Sequence, residues 1–369
     1  ALLRMGIYQL LYMDQVPDSA ACNEAVKLAK KRGFSRLSGF VNGVLRNISR
    51  KKETISYPKK DKNLVTYLSA NYSIPEWIIK FFMKTYDDET VEKIIESYLE
   101  DKKTTLCCLM SKGGKDVIRK ELEEENVTVE DGELIENSVK ISDYDFLYRL
   151  RAFREGKCYV QDESSMLCAK LAGAKEGQFV MDLCSAPGGK SLYTADQMKG
   201  SGQVLSRDLT EYKTDLIEDN IERMGFTNME AEVFDATILD EEHIEAADVV
   251  IADVPCSGLG IMGKKNDIKY HISEDGMKDL VKLQREILTN AVQYVKHGGT
   301  LIYSTCTINP EENEKNMQWI INNFDYEAVD ITEELPKNLK IETAKDGYIQ
   351  LLPGVHPCDG FFIAKLRRK

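Results

Sequence analysis

The chain has 369 residues, of which 43% are hydrophobic and 30% charged, and a net charge of −12. That length exceeds one ordinary core, so two or three domains are expected in a soluble globular protein. No apolar run approaches the roughly 20 residues of a membrane span, and no basic-then-apolar leader is read. Nine cysteines without framework spacing, no Cys-x-x-Cys and only four histidines argue against a disulfide scaffold and against any metal site. Reduced thiols in a cytoplasmic protein are the expectation.

Residues 1–60 hold 12 Lys/Arg against four acids, so the other 309 residues carry −20. A basic segment on an acidic body suggests a docking surface for phosphates, with Arg32, Arg36, Arg46, Arg50, Lys51 and Lys52 as its candidates. The chain begins at Ala1 in what reads as the middle of a helix, which implies further residues upstream. Leu2, Leu3, Ile7, Leu10 and Leu11 recur at helical spacing, as do Ala25, Val26, Leu28 and Ala29, then Val41, Val44, Leu45 and Ile48. Asp18 or Ser19 is placed to cap the second helix after Pro17. A polar, Pro58-containing linker follows at 51–62. Residues 63–100 read as helical again, with Ser73 capping before Pro75-Glu76-Trp77. Residues 104–148 read as a small α+β unit: strands at 104–110 and 127–129 around a helix at 114–125.

From about residue 156 strand and helix alternate. Strands are expected at 179–183, 203–207, 230–234, 249–252, 300–304 and 361–366, with helices near 189–199, 210–224, 276–296 and 311–323. The pattern predicts an α/β fold with a mostly parallel sheet covered on both faces. Such sheets gather ligands at the carboxyl ends of their strands.

Three features fall at those ends. The turn Asp182-Leu183-Cys184-Ser185-Ala186-Pro187-Gly188-Gly189-Lys190 follows the first strand and opens a helix, where glycines let backbone approach a ligand. Asp208 ends the second strand, suited to ribose hydroxyls, and Asp235 ends the third, suited to an adenine edge. The turn is not Gly-x-Gly-x-x-Gly, which weighs against a dinucleotide. Lys190 at a helix start opposes the dipole and hints at an anionic partner.

Two cysteines follow two further strands, in Asp253-Val254-Pro255-Cys256-Ser257-Gly258 and Ser304-Thr305-Cys306-Thr307. Buried cysteine is usually a small hydrophobe; that reading is taken for Cys22, Cys158, Cys168 and the Cys107-Cys108 pair. Two thiols and one acid at neighbouring strand ends match the needs of methylation at cytosine C5. A thiolate added to C6 makes C5 nucleophilic, an acid near N3 activates the ring, and the C5 proton must then leave. Chemistry alone does not order the two thiols.

These motifs jointly resemble the bacterial ribosomal RNA cytosine-C5 methyltransferases of the Fmu/RsmB type, relatives of the NOL/NOP2/Sun proteins. Gly6-Ile7-Tyr8-Gln9-Leu10-Leu11 and Val41-Asn42-Gly43-Val44-Leu45-Arg46 look like the second half of a NusB-like RNA-binding domain. Gln161-Asp162-Glu163-Ser164-Ser165 and Asp359-Gly360-Phe361-Phe362 look like the family's entry to, and closing strand of, its catalytic sheet. The resemblance implies a Rossmann-like class I sheet at 151–369, preceded by a partial NusB-like helical domain at 1–60 and a helical segment with a small RRM-like α+β domain at 61–150. It implies S-adenosylmethionine as cofactor, lined by Cys184, Ser185, Ala186, Pro187, Gly188, Gly189 and Lys190, with Asp208 on its ribose, Asp235 on its adenine and Asp253 between cofactor and base. Cys306 would be the nucleophile and Cys256 the residue that aids release. The partner would be an unpaired or flipped cytosine of 16S ribosomal RNA, met by a monomer away from any membrane. The chain departs from the family at Cys107-Cys108-Leu109, where Arg-x-Asn is usual, and at Thr307, where Ser is common. Rival readings are a tRNA or DNA cytosine methyltransferase, a small-molecule methyltransferase, and a non-catalytic ribosome-assembly or antitermination factor.

Overall fold

Three amphipathic helices open the computed structural model, which describes residues 1–369: α1 (Leu2–Tyr12), α2 (Asp18–Lys31) and α3 (Ser38–Lys51). Their apolar stripes meet at Leu10, Ala25, Ala29, Val41 and Leu45. Asp18, expected as a cap, is instead the first residue of α2. Its carboxylate accepts from Ser49 Oγ (2.7 Å) and Lys52 Nζ (3.2 Å), tying the start of α2 to the end of α3. After α4 (Leu64–Tyr72) come α5 (Glu76–Phe82) and α6 (Asp88–Ser97). Ser73 does not cap α5. It takes left-handed backbone (φ 55°), and Pro75 occupies the position before Glu76, so the serine hydroxyl lies too early in the chain to reach the first amides. The chain divides into two compact units, 1–71 and 72–369. No helix is long and apolar enough to cross a membrane.

In the larger unit β1 (Thr104–Cys108), α7 (Gly114–Glu124), β2 (Thr128–Asp131), β3 (Ser138–Ser142), the short α8 (Arg151–Arg154) and β4 (Cys158–Val160) build an antiparallel sheet ordered β2-β3-β1-β4. β3 and β4 are not among the strands expected from the sequence. Leu106, Cys107, Cys108 and Leu109 are all buried, so the segment that departs from the family's Arg-x-Asn presents no side chain to a partner. The buried Glu163, in α9 (Glu163–Ala172), fastens this sheet to the next. Its carboxylate accepts from the amides of Glu133, Leu134 and Ile135 and from Ser138 Oγ.

The remaining elements are β5 (Phe179–Asp182), α10 (Gly189–Gln197), β6 (Gln203–Asp208), α11 (Glu211–Met224), β7 (Met229–Val233), β8 (Ala247–Asp253), α12 (Ile268–His271), α13 (Glu274–Tyr294), β9 (Val295–Thr305), α14 (Glu314–Asn323), β10 (Tyr326–Ala328), β11 (Tyr348–Leu351) and β12 (Phe361–Arg368). They form a sheet ordered β10-β12-β9-β8-β5-β6-β7, with β11 on β12. β9, β8, β5, β6 and β7 run parallel; β12 runs against them and pairs antiparallel with β9, β10 and β11. All six expected strands are present, and β8 is buried nearly throughout, as a strand covered on both faces must be. The cores lie on either side of this sheet, around Val180, Val204, Ile251 and Ile302 on one face and Met181, Leu205, Val250 and Leu301 on the other. Asp182, Asp208, Asp253 and Thr305 close β5, β6, β8 and β9, so their side chains share one edge.

Candidate active site

The glycine turn joins β5 to α10. Its backbone is fixed from inside: Gly188 N–H donates to Ser185 O (2.7 Å), and Ser185 N–H donates to Arg207 O (2.8 Å). Gly188 sits at φ 99°, where a side chain would be strained. Asp208 accepts from the amides of Ala186 (2.9 Å) and Leu209 (2.8 Å) and from Lys213 Nζ (2.8 Å). The strand-end acid and the turn are thus one rigid piece. Asp235 lies two residues past β7, half-buried. The hydroxyl and amide of Thr237 bond one of its oxygens and hold its carboxyl below the usual range. Cys184 lies at the core edge, and burial pushes its thiol well up.

Beneath the turn, Asp182 accepts from Ser191 Oγ (2.8 Å), while its second oxygen is buried without a partner. Burial raises its carboxyl to about 6, against the pull of Lys190. Lys190 is buried too. Its ammonium meets Asp253 at 2.5 Å and lies 5.2 Å from the centre of the Phe361 ring. Burial opposes the charge, but Asp253 outweighs that cost and, with Asp182 nearby, holds Lys190 above its usual range. The anionic partner hinted at by the sequence is therefore a carboxylate of this chain. The other Asp253 oxygen accepts from Ser304 Oγ (2.8 Å), across the β8–β9 pair.

The two cysteines converge. Cys256 Sγ and Cys306 Sγ are 3.3 Å apart, and both residues are half-buried. The hydrogen bond to Cys306 comes first in holding the Cys256 thiol well above its usual range. Burial follows, and then the charge of Cys306, Glu312 and Asp253. Cys22, Cys107, Cys108 and Cys158 are buried elsewhere in apolar clusters, as read from the sequence, and Cys168 is buried in the core beside Lys190, Asp253 and Ser304; burial pushes Cys107, Cys158 and Cys168 up to about 12.

The two thiol loops are held by residues named in the motifs, Ser257 and Thr307, and by others that the sequence did not single out, Tyr86, Tyr98 and Gly260. Ser257 Oγ and Thr307 Oγ1 share a 2.6 Å hydrogen bond, so threonine keeps the hydroxyl that serine would supply. Gly260 N–H donates to Cys306 O (3.1 Å). Tyr98 OH donates to Leu259 O (2.7 Å) and Tyr86 OH to Ile308 O (3.0 Å), so the α6 region braces both loops. The sequence signal for the Cys306 loop is the polar run Asn309-Pro310-Glu311-Glu312-Asn313, whose end falls in the helix expected at 311–323; α14 begins instead at Glu314, which leaves Glu312 and Asn313 on that loop.

In the first unit Arg32, Arg36, Arg46, Arg50 and Lys51 are exposed and without a carboxylate partner, whereas Lys52 pairs with Asp18. Arg46 donates to Asn42 Oδ1 and Arg50 to Arg46 O.

A parallel sheet with a glycine turn after β5, a carboxylate closing β6 and another past β7 is the arrangement of S-adenosylmethionine-dependent methyltransferases. The residues present fit that cofactor: Gly188 and Gly189 carry no side chain where the turn opens α10, and Asp208 and Asp235 stand at or just past the ends of successive strands. The 16S rRNA methyltransferase RsmB/F family matches residues 169–367, and the NusB family matches residues 1–50. The probable ribosomal RNA small subunit methyltransferase B of Bacillus subtilis is 37% identical over 373 residues, spanning all of this chain and 82% of that protein. The ribosomal RNA small subunit methyltransferase B of Salmonella arizonae is 30% identical over the same shares. The crystal structure of PH0851 superposes with a TM-score of 0.84 at 28% identity, covering 100% of this chain and 81% of that one. NSun6 from Pyrococcus horikoshii (TM-score 0.71, 20% identity, 80% and 98% covered) shares the fold. The chain belongs to the RsmB/F family of 16S ribosomal RNA methyltransferases, and its methyl donor is S-adenosylmethionine.

Proposed function

We propose that the protein methylates C5 of a cytosine in small-subunit ribosomal RNA through a transient bond between Cys306 and ring carbon C6. The observation that carries this reading is the pair of thiols 3.3 Å apart, beside Asp253, at the carboxyl ends of β8 and β9. Cys306 passes its proton to water and adds to C6; as the S–C6 bond forms, the C5–C6 π pair shifts toward C4 and N3 and C5 becomes enamine-like. When bound, S-adenosylmethionine supplies a sulfonium methyl that C5 can take, its sulfur leaving as a neutral thioether. The Ser185–Gly189 turn, Asp208 and Asp235 would hold it, along with Cys184 and Lys190. Asp253, fixed by Lys190 and Ser304, is suited to accept from the ring's amino group and, when protonated, to donate to N3. The C5 proton then passes to a base or water, C5=C6 re-forms, and the S–C6 pair returns to Cys306. Cys256, which holds its proton tightly, can donate S–H to the departing thiolate and so aid release.

The target base must be unpaired or flipped, because its C6 face is stacked within a helix. A monomer acting in the cytoplasm on RNA docked through residues 1–60 completes the reading. Its test is a denaturing gel of Cys256→Ala with S-adenosylmethionine and unmodified small-subunit RNA. A covalent adduct that disappears in Cys256→Ala/Cys306→Ala is expected. Methyl transfer by Cys306→Ala at the unmutated rate overturns the assignment of the nucleophile. Transfer to tRNA alone overturns the substrate.

A further inference from the structure

A carboxylate with no solvent and no cation beside it stands under the two thiols. Glu312 is fully buried. Its Oε2 accepts from Ser257 N–H (2.8 Å) and Gln284 Nε2 (2.9 Å), and its Oε1 accepts from Asn309 Nδ2 (2.8 Å). Gln284 Nε2 also donates to Pro255 O (3.0 Å). The backbone on both sides of Cys256 is therefore pinned, by Pro255 O and Ser257 N–H, to one acid that sits on the Cys306 loop. The same loop is held at its own end: Tyr303 OH donates to Glu312 O, and Asn313 Nδ2 donates to Thr307 O (3.0 Å).

Burying a charge on neutral donors alone is costly, and a well-packed apolar side chain would hold two loops together at less expense. What an apolar residue would not do is accept the Ser257 amide in a fixed direction, one residue from the thiol. Charge-assisted hydrogen bonds are short and directional.

We infer that Glu312 is a positioning residue for the methyl-transfer reaction, setting Cys256 against Cys306 so that the Cys256 S–H meets the departing sulfur. This rests on the proposed roles of the two thiols. Glu312 touches neither thiol; it acts through the Pro255–Ser257 backbone, so it bears on release of the adduct rather than on its formation.

Glu312→Gln is the informative variant. Its amide oxygen can still accept from Ser257 and Gln284, but its amide nitrogen faces the Asn309 donor, so the loop shifts without a void. Single-turnover methyl transfer at saturating RNA is expected to stay within threefold of the unmutated protein. Steady-state kcat should fall at least tenfold with KM for RNA unchanged, and a covalent protein–RNA band should accumulate. Cys256→Ala is the reference on the same gel. Unchanged steady-state turnover in Glu312→Gln, or slow turnover without the band while Cys256→Ala shows it, overturns the positioning role and leaves the thiol roles standing. Loss of the first turnover also overturns it. No band in Cys256→Ala overturns the thiol roles, and with them the step through which Glu312 acts. Ser257→Ala, which keeps the amide bond to Glu312 and removes only the link to Thr307, should release product faster than Glu312→Gln.

Discussion

At the scale of single residues, the site is a set of charges removed from water and matched to one another. Lys190 and Asp253 are the clearest case. Separately each would be a buried charge; together they form a pair whose remaining donor is Ser304. Lys190→Met leaves Asp253 without its cation, and removing one member of a buried pair costs about 3 kcal/mol. A urea midpoint lowered accordingly, together with lost turnover, is expected; a stable and active variant would show that the pair is not needed. Asp182 behaves in the opposite sense to most carboxylates. Burial holds it at about 6, above the 3.8 of a free aspartate. The folded protein thus binds this proton more tightly than the unfolded chain. The stability it contributes is complete below about pH 4 and is lost as pH rises through 6, on the order of 3 kcal/mol in all. Asp182→Asn should flatten the stability profile between pH 4 and 6. Urea unfolding of both proteins across that range checks it, and parallel profiles would refute it.

At the scale of elements, α9 shows how a cap can also be a joint. Asp162 accepts from Ser164 N–H (3.0 Å) as the N-cap, from Lys264 Nζ (2.9 Å) and from Asp359 N–H (3.1 Å). Burial works against its charge, but Lys264 and the Ser164 bonds outweigh burial and draw it down to about 2. Asp359 shares the same lysine, yet burial, with the charge of Asp162 beside it, raises its carboxyl. For Asp162, stability is present above about pH 4 and is lost as pH falls through 2, about 2 kcal/mol. Asp162→Asn should therefore be destabilised at pH 7 and converge on the unmutated protein in strong acid, as thermal melts at both pH values would show. This joint was not read from the sequence, although Gln161-Asp162 and Asp359-Gly360 were both noticed, because 197 residues separate its ends. The same distinction runs through the whole reading. The parallel strands were legible because β8 and β9 are apolar runs followed by turn residues, a local pattern. The acids Asp208 and Asp253 were legible because each closes its strand. β3 and β4 were not legible: Ser138–Ser142 is polar at both ends, and Cys158–Val160 is three residues long and held only by its pairing to β1. Glu312 was not legible because its burial is decided by α13 and the Ser257 loop, both distant in sequence.

At the scale of the whole molecule, charge divides the work. The residues after 60 carry −20, a balance that repels phosphate. On the proposed reading, attraction for RNA comes from the first segment, where Arg32, Arg36, Arg50 and Lys51 stand exposed with no carboxylate to neutralise them. Each phosphate contact with single-stranded RNA adds about −0.7 to the slope of log K against log salt. Replacing these four residues by Gln should flatten that slope by about 3. Binding should weaken most at low salt, where released counterions matter most. None of the four lies near the thiols or the glycine turn in sequence, so single-turnover methyl transfer at saturating RNA should stay within threefold. Filter binding between 50 and 300 mM salt, followed by the single-turnover assay, separates docking from chemistry. An unchanged slope would mean that phosphates are met by cations of the acidic body instead, exposed lysines such as Lys265 among them. In that case substitution of those lysines, and not of the basic segment, would flatten the slope.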